Sequence, residues 1–325
     1  MTLQSSGAIT FTDLQTEFGD VNPISLSEYY ALVTGLPTSG AISLSNFYGK
    51  KFIVYETITS SRTWTPKVNL ATYIHIYVVG AGGSGGHGWA DDDGYTEGVA
   101  GGAGGGAGGV SISRISGSAA GSSTVTIGVG GAGRRRTGIG ASAGNDGTAS
   151  RFVGSGLNMT GNGGQGGNAD YNTSGGNDAS SAAGGPGGTA TGGNQLNLTG
   201  GRGGNMAVSG EGVRRSGAGG GAPRFRSAND GDGTNTVASG ISTTSAGRQA
   251  SDYTSFPTIL NTYITGRDQT AIINSTRTTF DASNGSITGQ TGSPTYGAGS
   301  GGCGDLDNTG SGAGGDGVVY IIYEV

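Results

Sequence analysis

Glycine fills 73 of the chain's 325 positions, and only six of those lie in residues 1–80. The other 67 fall in the remaining 245 residues, more than a quarter of that stretch. Glycine has no side chain to bury and loses the most backbone freedom on ordering. Such a stretch either stays disordered or packs its backbones side by side where only a hydrogen atom fits. Disorder goes with a high net charge, and here the formal charge is only −5. Leu, Ile, Val and Phe make up about 17% of the chain, under the ~20% level associated with disorder. Twenty-four of these 56 residues lie in 1–80. A conventional core is therefore expected near the N-terminal end, with backbone contacts holding the rest.

The mild acidity argues against nucleic acid as a partner, because such binding relies on clustered cations. No stretch approaches the ~18 apolar residues of a membrane span. The opening Met1-Thr2-Leu3-Gln4-Ser5-Ser6-Gly7 lacks the cationic and apolar regions of a secretory signal, so synthesis in a cytoplasm is expected. A single cysteine, Cys303, excludes an internal disulfide framework.

Residues 1–51 form a small unit with an internal repeat. The copies are Ile9-Thr10-Phe11-Thr12-Asp13-Leu14, Ile24-Ser25-Leu26-Ser27-Glu28-Tyr29 and Ile42-Ser43-Leu44-Ser45-Asn46-Phe47. Each reads as a short strand whose second hydroxyl caps a helix. Thr12 and Gln15 have capping-box spacing with Gly19 closing that helix, and Ser27 is placed to open another over Glu28–Val33. About fifty residues bury only a marginal core, so the unit is expected to dock on something larger. The segments Ile24–Tyr30 and Ile42–Lys50 resemble an N-terminal module of tail-associated structural proteins of bacteriophages, marine ones in particular. That resemblance implies a virion attachment module, with Leu26, Tyr29, Tyr30, Leu44, Phe47 and Tyr48 as its contact residues.

Beyond residue 51, Phe52–Thr59 and Thr72–Val79 read as strands; in the second, Ile74, Ile76 and Val78 share one face and Tyr73, His75 and Tyr77 the other. Val110–Ile115 and Ser123–Val129 suggest another strand pair, with Val125, Ile127 and Val129 in phase. The run Val318–Tyr323 demands a central place in a sheet, and pairing with Thr72–Val79 would close the domain end to end. The fold expected is mainly β, a sandwich-like framework displaying glycine-rich segments. Trp64-Thr65-Pro66, the strand ending Val78-Val79-Gly80-Ala81-Gly82-Gly83, Thr124–Gly130 and Gly314–Val319 together resemble the glycine-rich domain of phage tail and adhesin proteins. In some members of that group the glycine segments stack as polyglycine II helices, with three residues per turn and no internal hydrogen bonds. Flexible glycine loops on a small sandwich are the alternative. From Ile241 to Tyr296 glycine drops to five residues in 56, making an island. There Phe256, Ile259, Leu260, Tyr263 and Ile264 suit an amphipathic helix, and Asn284-Gly285 a hairpin.

Signs of catalysis are sparse. His75 and His87 are the only histidines, with His75 read as a sheet-face residue and Cys303 as a small filler lacking a nearby histidine. No triad or zinc set appears, the many G-x-G-x-x-G matches follow from composition, and Gly49-Lys50 is not followed by Ser or Thr as a P-loop requires. Asp91-Asp92-Asp93-Gly94 and Asn229–Gly233 hold oxygen ligands for calcium without an EF-hand spacing, so no cofactor is expected. Arg134-Arg135-Arg136, with Arg214, Arg215, Arg224 and Arg226, could meet anionic polysaccharide or a neighbouring subunit, or be a solvated loop. Aromatic residues within glycine segments and the island, Trp89, Tyr95, Tyr171, Tyr253, Tyr263 and Tyr296, are candidates for host or partner contact, together with Arg267 and Arg277. The expectation is a non-enzymatic virion protein on the particle exterior, a homo-oligomer with a trimer among its options. It would be a tail-fibre adhesin touching host polysaccharide or protein, or else an architectural decoration or collar protein.

Overall fold

The computed structural model describes residues 7–18, 25–26, 40–48, 53–66, 73–89, 99–134, 140–172, 179–209, 214–217, 221, 236–239, 296–297, 299–300, 302–305 and 311–324. Among the described residues one α-helix, α1 (Phe11–Phe18), precedes nineteen strands. In chain order these are β1 (Ile53–Ile58), β2 (Arg62–Trp64), β3 (Tyr73–Val79), β4 (His87–Trp89), β5 (Val99–Gly102), β6 (Val110–Ser116), β7 (Ser123–Thr126), β8 (Gly140–Ser142), β9 (Ser150–Gly154), β10 (Leu157–Gly161), β11 (Ala169–Asn172), β12 (Ala179–Ala182), β13 (Ala190–Thr191), β14 (Leu196–Leu198), β15 (Met206–Ser209), β16 (Arg214–Gly217), β17 (Thr236–Ser239), β18 (Cys303–Asp305) and β19 (Val318–Glu324). The protein is mainly β.

Two antiparallel five-stranded sheets, β1-β19-β3-β6-β14 and β13-β10-β9-β7-β2, make a frame. Strand alternation aims Ile74, Ile76 and Val78 of β3 and Val319, Ile321 and Tyr323 of β19 at Trp64, Val125, Phe152 and Met159 of the facing sheet. As the sequence suggests, β19 pairs with β3, Val318 opposite Val79; it also pairs with β1, Ile53 opposite Glu324. Val318–Tyr323 are all buried, the outcome a continuous apolar run requires. Beneath this core Glu56 accepts hydrogen bonds from Trp64 Nε1 (3.2 Å) and the Tyr323 hydroxyl (3.1 Å) and pairs with Arg62. The suggested pairing of Val110–Ile115 with Ser123–Val129 does not form: β6 joins β3 and β14 in one sheet, β7 joins β9 and β2 in the other. Val129 is 65% exposed, because the chain leaves the strand after Thr126 and loses its period of two.

From the frame the chain runs back and forth through a glycine layer. Segment 80–86 follows β3, 103–109 precedes β6, and 162–168, 183–189 and 311–317 likewise adjoin frame strands; each is seven residues long. Their bonds repeat every three residues. Gly80, Gly83 and Gly86 donate N–H to the carbonyls of Gly109, Gly106 and Ala103, while Ala81 donates to Thr148, and Gly82 to Gly315. Ala103, Gly106 and Gly109 in turn donate to Asn168, Gln165 and Asn162, at 2.8–2.9 Å. A three-residue turn with all bonds directed to neighbours is the polyglycine II arrangement.

The bonds also fix the lattice. Segment 103–109 is bonded to six neighbours: 80–86, 162–168, 185–188, 201–204, Gly221 and 297–300. Segment 80–86 has six as well: 103–109, 131, 145–148, 164–167, Ser300 and Gly315. The remaining segments form a closed ring of eight around these two, in the order 128–134, 143–149, 162–168, 183–189, 199–205, 221, 297–300 and 311–317. Two adjacent points of a hexagonal lattice have eight neighbours, so the packing is hexagonal. Glycine is needed here for closeness. A Cβ on Gly105 would lie 2.6 Å from both the Gly83 carbonyl carbon and the Ser84 oxygen. At the rim one residue in three faces outward and is exposed, as with Ala183, Pro186 and Thr189, or Thr199, Arg202 and Asn205. Some rim side chains supply acceptors the ring lacks: Asp146 takes the Gly166 N–H, Asn205 that of Gly184, and Asp316 that of Gly130 (2.8–2.9 Å).

The N-terminal repeat has a different local logic from the expected one. In the first copy the Thr10 N–H donates to Asp13 Oδ2 (2.8 Å) and the Asp13 N–H to Thr10 Oγ1 (3.2 Å), a reciprocal capping box. The helix therefore starts earlier than the Thr12–Gln15 box would place it. The third copy does the same, with the Ser43 N–H donating to Asn46 Oδ1 (2.8 Å). The shared pattern is thus the first hydroxyl with the acid or amide three residues on. Ile9 and Leu14, before and after the cap, are both buried, as in a hydrophobic staple. The expected Ser27 helix lies outside the described residues.

Candidate functional site

The strand layers give the molecule two poles. At the pole away from the frame lie three short sheets, β11-β5-β16, β12-β15-β17 and β18-β4-β8. They continue the lattice: β5 pairs with β11 and β16 and also packs against β4, β12, β15 and β18, with β8 just beyond. Gly88 is held as the central glycines are, since a Cβ there would come within 2.7 Å of the Gly101 oxygen.

The connections differ between poles. Residues 90–98 join β4 to β5, 173–178 join β11 to β12, 210–213 join β15 to β16, and 135–139 and 306–310 also begin and end on the tip side. In sequence, 90–98 holds Asp91, Asp92, Asp93 and Glu97, 135–139 holds Arg135 and Arg136, and 210–213 holds Glu211. At the far end of the frame 155–156 and 117–122 are short and rich in Gly, Ser and Ala, while the sequence of 65–72, between β2 and β3, includes Pro66, Lys67 and Leu70. The tip, with Trp89 on β4 and Asp170 and Tyr171 on β11, is the candidate interaction site.

Of the aromatic and arginine residues that the sequence offers for contact, the fold brings only some to this tip. Trp89 ends β4 on the tip, and Tyr171 lies on β11, half-buried, its N–H bonded to Asp170 Oδ1 (2.9 Å). Asp170 Oδ2 also accepts the Ser181 N–H (3.0 Å), tying β11 to β12 beside their connection. Tyr296 is half-buried next to Gly297, on the frame side, because Gly297 accepts from Gly108 and donates to Asp316. Tyr296 is therefore not a tip residue. Tyr95, Tyr253, Tyr263, Arg267 and Arg277 lie outside the described residues, as do the island's expected helix and hairpin and both candidate calcium segments. In the N-terminal unit Leu26 and Leu44 are half-buried and Phe47 is fully buried, which makes Phe47 a core residue there. The Tyr48 hydroxyl donates to the Gly7 carbonyl. Tyr29 and Tyr30 fall outside the described residues.

Arg134 is exposed, yet its Nε donates to the Ala143 carbonyl (3.0 Å), so this member of the arginine cluster braces the rim. The separation assumed between Cys303 and a histidine is overturned by the pairing of β18 with β4, which sets Cys303 opposite His87, with Ser142 opposite His87 on the other side. Sequence distance hid this, because the two strands are more than two hundred residues apart. His87 is fully buried. His75 does lie on a sheet face, half-buried. Tyr77, on the same strand, is buried, and that burial pushes its phenol well above the usual range. Among the described residues no group of three His, Cys, Asp or Glu side chains could hold a metal ion.

A signal for the lattice was present in the sequence. Segments 80–86 and 103–109 contain only Gly, Ala and Ser, whereas rim segments such as 162–168 and 199–205 carry one larger residue in three. Uniform smallness marks the two central segments.

A family model described as a glycine-rich domain matches residues 56–324, running through the island as well as the glycine segments. No curated protein matches the chain.

Proposed function

Because the chain belongs to the glycine-rich domain family, we propose that it is a structural protein of a bacteriophage particle, a tail-fibre or tail-tip adhesin that touches the host surface. One observation carries this reading. Ile53, to which the N-terminal unit leads, pairs with Glu324 at the frame pole farthest from the glycine layer, while the three short sheets, with Trp89 and Tyr171, form the opposite pole. A protein held at one end and reading a surface at the other needs this polarity. The seven-residue glycine segments between the poles span about 22 Å at ~3.1 Å per residue. Residues 1–51 are the attachment module to other virion proteins, further copies of the chain complete an oligomer, and host polysaccharide or protein meets the tip from the particle exterior. The reading assigns the protein no catalysis.

The test uses purified protein and cells of the host strain. The intact chain should co-sediment with the cells. Replacing 90–98 and 173–178 by Gly-Ser segments of equal length should abolish this with the far-UV spectrum unchanged. Removing 1–51 should leave cell binding and stop incorporation into particles. Cell binding that survives replacement of the tip connections refutes a reading tip, and no cell binding by the intact chain favours an architectural protein of the head or collar.

A further inference from the structure

Residues 311–324 close two layers at once. In the ring, Ser311, Gly314 and Gly317 donate to the carbonyls of Arg134, Gly131 and Gly128, and Gly315 and Asp316 accept from Gly82 and Gly297. In the frame, β19 lies between β1 and β3 and is the link that joins β1 to the sheet. Its Tyr323 also completes the buried Glu56–Trp64 contact, across sequence separations of 267 and 259 residues. Most other ring and sheet partners lie within residues 53–221, so they can meet without this stretch.

We propose that 311–324 is a closing strap, and that frame and glycine lattice form together in the single step in which it docks. Without it β1 loses its partner strand, β3 keeps only β6, and segment 80–86 loses one of its six neighbours. The ring around the two central segments is then open at one place and the sheet has a gap, although 103–109 keeps its own six neighbours. Distant closure is the slow, entropically costly part of assembly, and here its reward comes only when both contacts are made. Until then the gap between β1 and β3 is a slot one strand wide, and what fits it is an extended apolar strand flanked by a glycine segment.

Two measurements on the full chain test this. With a protease site placed in 306–310 and Trp89→Phe leaving Trp64 as the reporter, the native protein is cut, unfolded in urea and diluted. The expected result is recovery of native Trp64 emission at a rate that rises with the concentration of the released peptide. Exchange protection at 74–79 and at 103–109 should appear on that same timescale. Protection of 103–109 without the peptide, or a rate independent of it, overturns the proposal. In the uncut chain, native-state hydrogen exchange should show 318–323 opening only together with 74–79 and 103–109. Opening of 318–323 by itself at lower denaturant overturns the single step, even where the cut protein fails to refold.

Discussion

Placing one methyl group at Gly105 tests the lattice directly. Its Cβ would stand 2.6 Å from the Gly83 carbonyl carbon and from the Ser84 oxygen, with the Gly83 oxygen nearer still. Carbon and oxygen need roughly 3.2–3.5 Å, so segments 80–86 and 103–109 must part by close to 1 Å. Neither can move outward, because each is enclosed by six neighbours. Overpacking a tight interior costs about 1–3 kcal/mol. The shift also strains the bonds Gly83 N–H to Gly106, Gly105 N–H to Ser300 and Gly221 N–H to Gly105, now 2.8–3.0 Å, at up to about 1 kcal/mol each. Gly105→Ala should therefore destabilise by about 3–5 kcal/mol, and Gly105→Val by more. With a urea slope near 3 kcal/mol/M, the midpoint followed by tryptophan emission falls by about 1 M or more. Gly121→Ala is the control: nothing lies within 4 Å of a Cβ there, so its midpoint should hold or rise slightly. Equal midpoints for the two variants would refute a close-packed lattice and return these segments to loops.

Three further outcomes follow from the geometry. A double-mutant cycle on Glu56→Gln and Tyr323→Phe should give a coupling of about 1 kcal/mol in urea unfolding, since the two share a buried hydrogen bond. Bonds from the Thr10 side chain and backbone hold the Asp13 carboxyl below its ordinary value, so the cap's contribution is complete above the ordinary aspartate range and is lost as pH falls through the lowered value; an NMR titration should show Thr10→Ala moving Asp13 back up. The island leaves from the outer end of β17 on the tip and the chain re-enters at Gly297 beside the frame, so a deletion of 240–295 must be bridged across about 28 Å, the length of β17 included. Bridges of nine or more residues should keep the melting temperature within a few degrees, and four-residue bridges should unfold the domain.

The frame was largely legible because its strands obey ordinary alternation. Ile74, Ile76 and Val78 announce a core face, and Val318–Tyr323 announces a strand with neighbours on both sides. Proximity along the chain misled for β6 and β7, since the connection 117–122 passes between sheets instead of turning within one. Val129 misled because a period of two had already given way to a period of three. The helix cap was misplaced because two hydroxyls, Thr10 and Thr12, compete for it, and Asp13 settles the choice by answering Thr10. The tip could not be read at all. It exists only because separate segments run side by side for the same length, and nothing local to Trp89 or Tyr171 records that. The juxtaposition of Cys303 and His87 is hidden for the same reason.

Frame and lattice also differ in what they take away from water. The frame buries Ile, Val, Phe and Trp side chains, whereas Gly101–Gly109 are buried almost entirely as peptide groups. Exposing apolar surface raises the heat capacity, by about 0.45 cal/mol/K per Å², and exposing polar surface lowers it, by about 0.26. Unfolding this chain should therefore show a heat-capacity increment per residue well under the usual ~12–15 cal/mol/K. A small increment flattens the curve of stability against temperature and moves cold denaturation further below freezing. Chilling weakens the grip of the apolar frame and leaves the peptide lattice nearly untouched. A body built of glycine backbones is, in calorimetric terms, closer to a polar crystal than to an oil drop, and it keeps its rigidity across a wide span of temperature.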